Sequence, residues 1–152
     1  MGRESSFGDQ QFYGITSNAS FEQGLVFVIM SFDEKNNDIY SAIKNECKKI
    51  KLKAIRVDEV GGSGLILRNI ITLIAKAEFL IVDLTDENPN VYYELGYAHG
   101  VGNEDFDILL VAKEGTKLHF DIAPLSVYFY SSTEHLRKIV NEQLRKMIKL
   151  TR

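Results

Sequence analysis

The chain has 152 residues, of which 45% are hydrophobic and 26% charged, with a net charge of −3 at pH 7. That length suits one domain with a real core, burying roughly 70% of the surface of its unfolded chain, and the slight acidity leaves no footprint for a nucleic-acid partner. A single cysteine, Cys47, excludes an intramolecular disulfide and an all-cysteine metal site. No apolar run reaches the roughly 18 residues that a membrane span needs, and no signal-peptide pattern is present, so the expectation is a cytoplasmic protein without membrane contact.

Residues 1–23 are rich in Gly, Ser, Gln and Asn without periodicity and read as a flexible or loosely docked arm, in which Phe7, Phe12 and Tyr13 could anchor on a partner subunit. Residues 24–152 read as the folded domain. GLVFVIMSF (24–32) is a continuous apolar run, as expected of a strand covered on both faces. A helix over 33–50 follows, with Ile39, Ala42, Ile43, Cys47 and Ile50 on one face. LKAIRVD (52–58) is a short strand, VGGSG (60–64) a flexible loop, LILRNIITLIAKA (65–77) a second amphipathic helix and EFLIVDL (78–84) a third strand. DLTDENPN leads into a third helix. FDILLVA (106–112) and SVYFYS (126–131) are further strands, separated by a loop that holds LHFDIAP. A long helix over 131–150, N-capped by Ser132 or Thr133, closes the chain.

Strands alternating with helices argue for a parallel sheet with right-handed crossovers. Five strands in this length predict an α/β, flavodoxin-like three-layer sandwich of strand order 2-1-3-4-5. Ligands of such sheets bind outside the carboxyl ends of the strands, near the switch point. That rule selects MSF after the first strand, VDEVGGSG after the second and DLTDENPN after the third.

The first loop lacks the glycines of a dinucleotide fingerprint, and no phosphate-binding P-loop occurs, so no redox cofactor or nucleoside triphosphate is expected. VGGSG, with Gly62 and Ser63, offers backbone N–H groups before a helix and could cradle an anion; a plain connection fits equally. Three histidines without paired spacing give no zinc site, and no nucleophile elbow supports a Ser-His-Asp triad. In the third loop Asp83 ends a buried strand, and Asn88-Pro89 reads as an N-cap followed by proline at the first helical position. Glu94 then falls in the second turn, beside a buried stripe of Val91, Leu95, Ala98 and Val101. There burial would raise its pKa. Gly96 and Gly100 each cost about 1 kcal/mol in a helix interior relative to alanine, which predicts a close backbone approach, or termination at Gly100. A helical glutamate is ordinarily solvated surface. Convergence of Asp83, Asn88 and Glu94 on one strand-end crevice sets this one apart.

The segments FVIMSF, IRVDEV, AKAEFLIVDLTDENPNVYYELGYAHG and HFDIAPLSVYFY, in this order, resemble a widespread bacterial family of nucleoside 2-deoxyribosyltransferases, often grouped with TIR-like domains. The resemblance covers about residues 25–140, and its most specific block is DLT…NPNVYYELGYAHG. It implies that Glu94 attacks the anomeric carbon and that Asp83 helps bind and protonate the base. It also implies that Met30, Ser31 and Phe32 line the base pocket. Gly62, Ser63, Asp86, Asn88 and Tyr93 complete the substrate-binding set expected from the three loops. Asn88 stands where the transferases usually have an aspartate; an amide binds sugar hydroxyls but relays no proton, which favours hydrolysis or sensing over base exchange. TIR-like relatives use a helix glutamate to break the ribosyl–nicotinamide bond of NAD. The implied activity is therefore cleavage of an N-glycosidic bond in a nucleoside or nucleotide, without metal or cofactor, in a homodimer or larger assembly. The competing expectation is a module of a bacterial signalling or defence system that binds a nucleotide or assembles with partners without turnover.

Overall fold

In the central strands, alternate residues point to opposite sides of one sheet, and a pair of helices covers each side. The structure, a computed structural model, describes residues 21–60, 66–103, 107–118 and 126–152. Its strands are β1 (Glu22–Ile29), β2 (Lys53–Arg56), β3 (Ala77–Asp83), β4 (Ile108–Lys113) and β5 (Val127–Tyr130). Its α-helices are α1 (Asn37–Lys49), α2 (Ile66–Lys76), α3 (Pro89–Gly100) and α4 (Thr133–Thr151). All strand pairs are parallel, in the order β2-β1-β3-β4-β5, so the flavodoxin-like sandwich expected from the sequence is the fold. Among the described residues, no helix is long and apolar enough to cross a membrane.

Val26, Val28, Phe79, Ile81, Leu109 and Val111 face one side, where Ile43 and Cys47 of α1 and Leu136, Val140 and Leu144 of α4 cover them. Phe27, Ile29, Leu80, Val82, Leu110 and Ala112 face the other, under Ile70 and Ile74 of α2 and Val91, Leu95 and Ala98 of α3. Both faces are buried, which explains why β3 is apolar at nearly every position rather than alternating. Cys47 is fully buried, and desolvation pushes its thiol up to about 12, so it behaves as a small core hydrophobe.

Several boundaries differ from the sequence expectation, each for a local reason. β1 begins two residues early, and Gly24 takes a φ of 86° where the β1–β3 register shifts between Glu22 and Val26. The strand ends at Ile29, which frees Met30, Ser31 and Phe32 as loop. The helix expected from residue 33 opens as a 3-10 turn, Glu34–Asn36, with the Asp33 side chain accepting the Lys35 N–H. β2 stops at Arg56 because Val57–Glu59 form another 3-10 turn, closed by the Glu59 carboxylate accepting the Arg56 N–H at 3.2 Å. Ser132 is the N-cap of α4 and accepts the His135 N–H at 3.0 Å.

The glycines of α3 correct one expectation. A Cβ built on Gly96 meets nothing within 4 Å, and the residue is exposed, so no close backbone approach requires it. Gly100 is likewise open; the helix ends there, and Gly102, at φ 101°, takes the left-handed turn that follows. Gly96→Ala is therefore expected to stabilise the fold by about 0.5–1 kcal/mol, read as a higher urea midpoint at unchanged slope.

Candidate functional site

The strand order places the ends of β1 and β3 side by side, so the loops leaving them form the two walls of a crevice. Along it lies a cavity of about 480 Å³, lined by Met30, Ser31, Phe32, Ile70, Asn88, Asn90, Val91, Tyr93 and Glu94. That volume is in the range of small-molecule sites. A narrow cleft adjoins it, sharing Met30, Ser31, Asn88 and Val91 and extending to Asn36, Asp83, Thr85 and Asp86.

Helix α3 is positioned at this crevice by its start. Glu87 adopts φ 47°, a left-handed conformation costly for a residue with a side chain, and turns the chain toward the cavity. Asn88 then caps the helix, accepting the Asn90 N–H at 2.9 Å, and Pro89 occupies the first turn. With its oxygen committed to the cap, Asn88 has its amide N–H groups left to offer a ligand. Two turns of helix carry Asn90 and Glu94, four residues apart, onto the same cavity wall.

Glu94 is half-buried, and no hydrogen bond or ion pair to its carboxylate occurs among the described residues. Burial alone pushes its pKa up to about 7. An acid held near neutrality by burial in a cavity is the kind of group that serves as acid, base or nucleophile. Phe32 and Tyr93 also line the cavity and remain 47% and 62% exposed, an arrangement suited to a planar ligand.

Asp83 has a different environment. It is 6% exposed, and both its oxygens are engaged: Thr85 donates its N–H (2.9 Å) and its hydroxyl to Oδ1, and the Tyr130 hydroxyl donates to Oδ2 at 3.0 Å. Thr85 Oγ1 also accepts the Lys113 N–H at 2.9 Å, so one polar knot ties the carboxyl ends of β3, β4 and β5. Burial raises the Asp83 pKa, with the nearby Asp86 charge adding to it, against the lowering effect of these hydrogen bonds. Asp83 lines the narrow cleft and not the larger cavity that holds Glu94. Asp86 faces the same cleft, bonded by Asn36 Nδ2 at 2.9 Å and paired with Lys35 Nζ at 3.3 Å, which pins the β1–α1 loop to the β3–α3 loop.

The structure thus gathers Met30, Ser31, Phe32, Asn88, Tyr93 and Glu94 around one cavity and puts Asp83 and Asp86 in the cleft beside it. Gly62, Ser63 and the HFDIAP segment lie outside the described residues, as does most of the N-terminal arm. Asn90 and Ile70 are cavity residues that sequence reasoning did not select. For Asn90 a signal existed, its spacing of four from Glu94; for Ile70, an apolar residue of an amphipathic helix, none did.

No protein-family model matches this chain. No curated protein matches it either.

Proposed function

We propose that this protein cleaves the N-glycosidic bond of a nucleoside or nucleotide, with Glu94 as the nucleophile. The observation that carries this reading is Glu94 itself: a half-buried carboxylate with a pKa of about 7 and no partner among the described residues, on the wall of a cavity flanked by two exposed aromatic rings. In the deprotonated form one Glu94 oxygen bonds to the anomeric carbon as the carbon–nitrogen bond breaks, and the electron pair departs with the base. Water then attacks the anomeric carbon, breaks its bond to the Glu94 oxygen and loses a proton to solvent, which releases the sugar and restores the carboxylate. The Asn88 and Asn90 amides are placed to hold sugar hydroxyls.

The surroundings of Asp83 bear on the leaving group. Its oxygens are taken by Thr85 and Tyr130, so among the described residues no second unengaged acid lines the cavity to protonate a departing base. A pyridinium base such as nicotinamide leaves as a neutral molecule and needs no such proton. This favours NAD-like substrates over ordinary deoxynucleosides. The same observation supports a second reading, binding of a nucleotide without turnover.

The test is a panel of NAD, NADP and the common 2′-deoxynucleosides, with base release followed by chromatography and binding by calorimetry. Release is expected, fastest from the pyridinium nucleotides. Binding without release would replace the enzymatic reading by the sensing one. Neither binding nor release across the whole panel would remove both.

A further inference from the structure

An aromatic ring that is 47% exposed on a loop does not hold its own orientation, yet Phe32 forms part of the cavity wall. Its neighbour on the other strand end explains how it is held. The Arg56 guanidinium lies over the Phe32 ring, 5.7 Å from its centroid, and over the Tyr40 ring at 4.4 Å. Both distances are within the range of cation–π attraction.

Arg56 is unusual for a basic residue, at 5% exposure. Asp58 fixes one edge of its guanidinium, with Nε to Oδ1 at 2.6 Å and Nη2 to Oδ2 at 2.9 Å, and Nη2 also reaches Asn37 Oδ1 at 3.3 Å. Tyr40 is held in turn: its hydroxyl donates to Glu59, whose other oxygen takes Lys44 Nζ at 2.6 Å. Nη1 is buried and makes no hydrogen bond among the described residues. A buried donor without an acceptor is costly, and here the two ring faces are what the cation has in exchange.

We propose that Arg56 is a positioning residue for the cavity: anchored by Asp58 and Tyr40, it holds the Phe32 ring as a fixed wall against which the planar base of the substrate stacks. The planar-base part rests on the nucleoside reading above; the anchoring of Phe32 does not. With Arg56 over it, the Phe32 ring still lines the cavity, so ring surface remains for a ligand. Immobilising it before a ligand arrives reduces the ordering that binding must supply.

Arg56→Met keeps the length of the side chain and removes the charge. It leaves Asp58, 39% exposed, able to rehydrate, so the fold is expected to survive. Arg56→Lys restores a charge but not the planar stack. Because the chain contains no tryptophan, Phe32→Trp installs a single fluorescent reporter at the wall. Adding Arg56→Met to that reporter is expected to lower its anisotropy and increase its quenching by acrylamide, with Arg56→Lys intermediate; an unchanged reporter would overturn the anchoring, whatever the ligand.

In calorimetry with NAD and 2′-deoxyadenosine, Arg56→Met is expected to weaken binding about three- to tenfold, while free ribose is unaffected. In a Phe32→Leu background the same substitution should have no further effect. Equal weakening in both backgrounds would mean that Arg56 acts on the fold generally, and would overturn its action through Phe32. If wild type binds neither probe, the planar-base part falls with the nucleoside reading, and the reporter alone decides whether Arg56 anchors the wall.

Discussion

Glu94→Gln is expected to abolish base release, by about a thousandfold or more, and at the same time to make the protein more stable at alkaline pH. The loss follows from the chemistry. The amide has nearly the shape of the carboxylate but cannot form the glycosyl ester, and removal of a covalent nucleophile takes away the whole two-step route. The stability gain follows from burial. In the unfolded chain Glu94 ionises near its ordinary value of 4.5, whereas in the folded protein burial raises it to about 7. The folded state thus prefers the protonated form. This residue's contribution is most favourable below the unfolded value and is lost as pH rises through the folded one. Allowing for partial solvent screening of a half-buried group, the cost of its charge above pH 8 is roughly 1–2 kcal/mol. Glutamine does not pay this cost at any pH.

Urea unfolding of wild type and Glu94→Gln at pH 4 and pH 9 measures the effect: the two should coincide at the acid end and separate at the alkaline end, with the variant more stable. Wild-type base release should rise through about pH 7 and then level off, because only the ionised carboxylate attacks. Base release that survives in the variant would remove Glu94 from the nucleophile's role. Equal stabilities at both pH values would show that its carboxylate is solvated rather than buried.

The second large effect is expected at the opposite end of the sheet. Glu78, in β3, is 6% exposed, yet its carboxylate accepts the Gly24 N–H at 2.6 Å and a two-pronged contact from Arg152, at 2.9 and 2.8 Å. One acid therefore satisfies the irregular start of β1, where Gly24 breaks the register, and fastens Arg152, the residue that caps the C-terminal end of α4. Arg152→Ala leaves a buried carboxylate whose remaining donor among the described residues is the Gly24 N–H. Breaking a buried pair in this way costs about 3–5 kcal/mol; because the Arg152 side chain is 36% exposed, the expectation is roughly 2–3 kcal/mol.

The Arg152 and Gly24 hydrogen bonds hold the Glu78 pKa below its ordinary value despite burial. Its stabilisation is therefore present above the unfolded value of about 4.5 and fades as pH falls through the lower folded value. Denaturant titrations from pH 7 down to pH 3 should show Arg152→Ala much weaker than wild type at neutrality and the gap narrowing in acid. A constant gap would place the loss in packing of the α4 terminus rather than in the ion pair.

Some of this molecule was legible in the bare sequence. The apolar runs and the helical periodicities identify five strands and four helices, and short right-handed crossovers leave few ways to connect them, so the sheet order follows. Asn88-Pro89 announces the start of α3, because a cap and a proline act through their own backbone. The position of Glu94 beside the buried stripe follows from counting residues along that helix. These are local properties, decided within one or two turns of chain.

The tertiary structure alone decided what each polar group faces. Asp83 and Glu94 are both acids near one crevice, but Tyr130, 47 residues from Asp83, engages the first, and nothing among the described residues engages the second. The Thr85 bonds to Asp83 are local to DLT, but the Tyr130 bond is not. Arg56 read as one residue of a short strand until β2 and β1 lay side by side and brought it over Phe32. Gly96 suggested tight packing, and only the space around it shows there is none. Backbone preference and periodicity act over a few residues, so sequence carries them. Desolvation and hydrogen-bond partnership depend on groups that strand order brings together from distant parts of the chain, and those set the charge, the reach and the rigidity of the site.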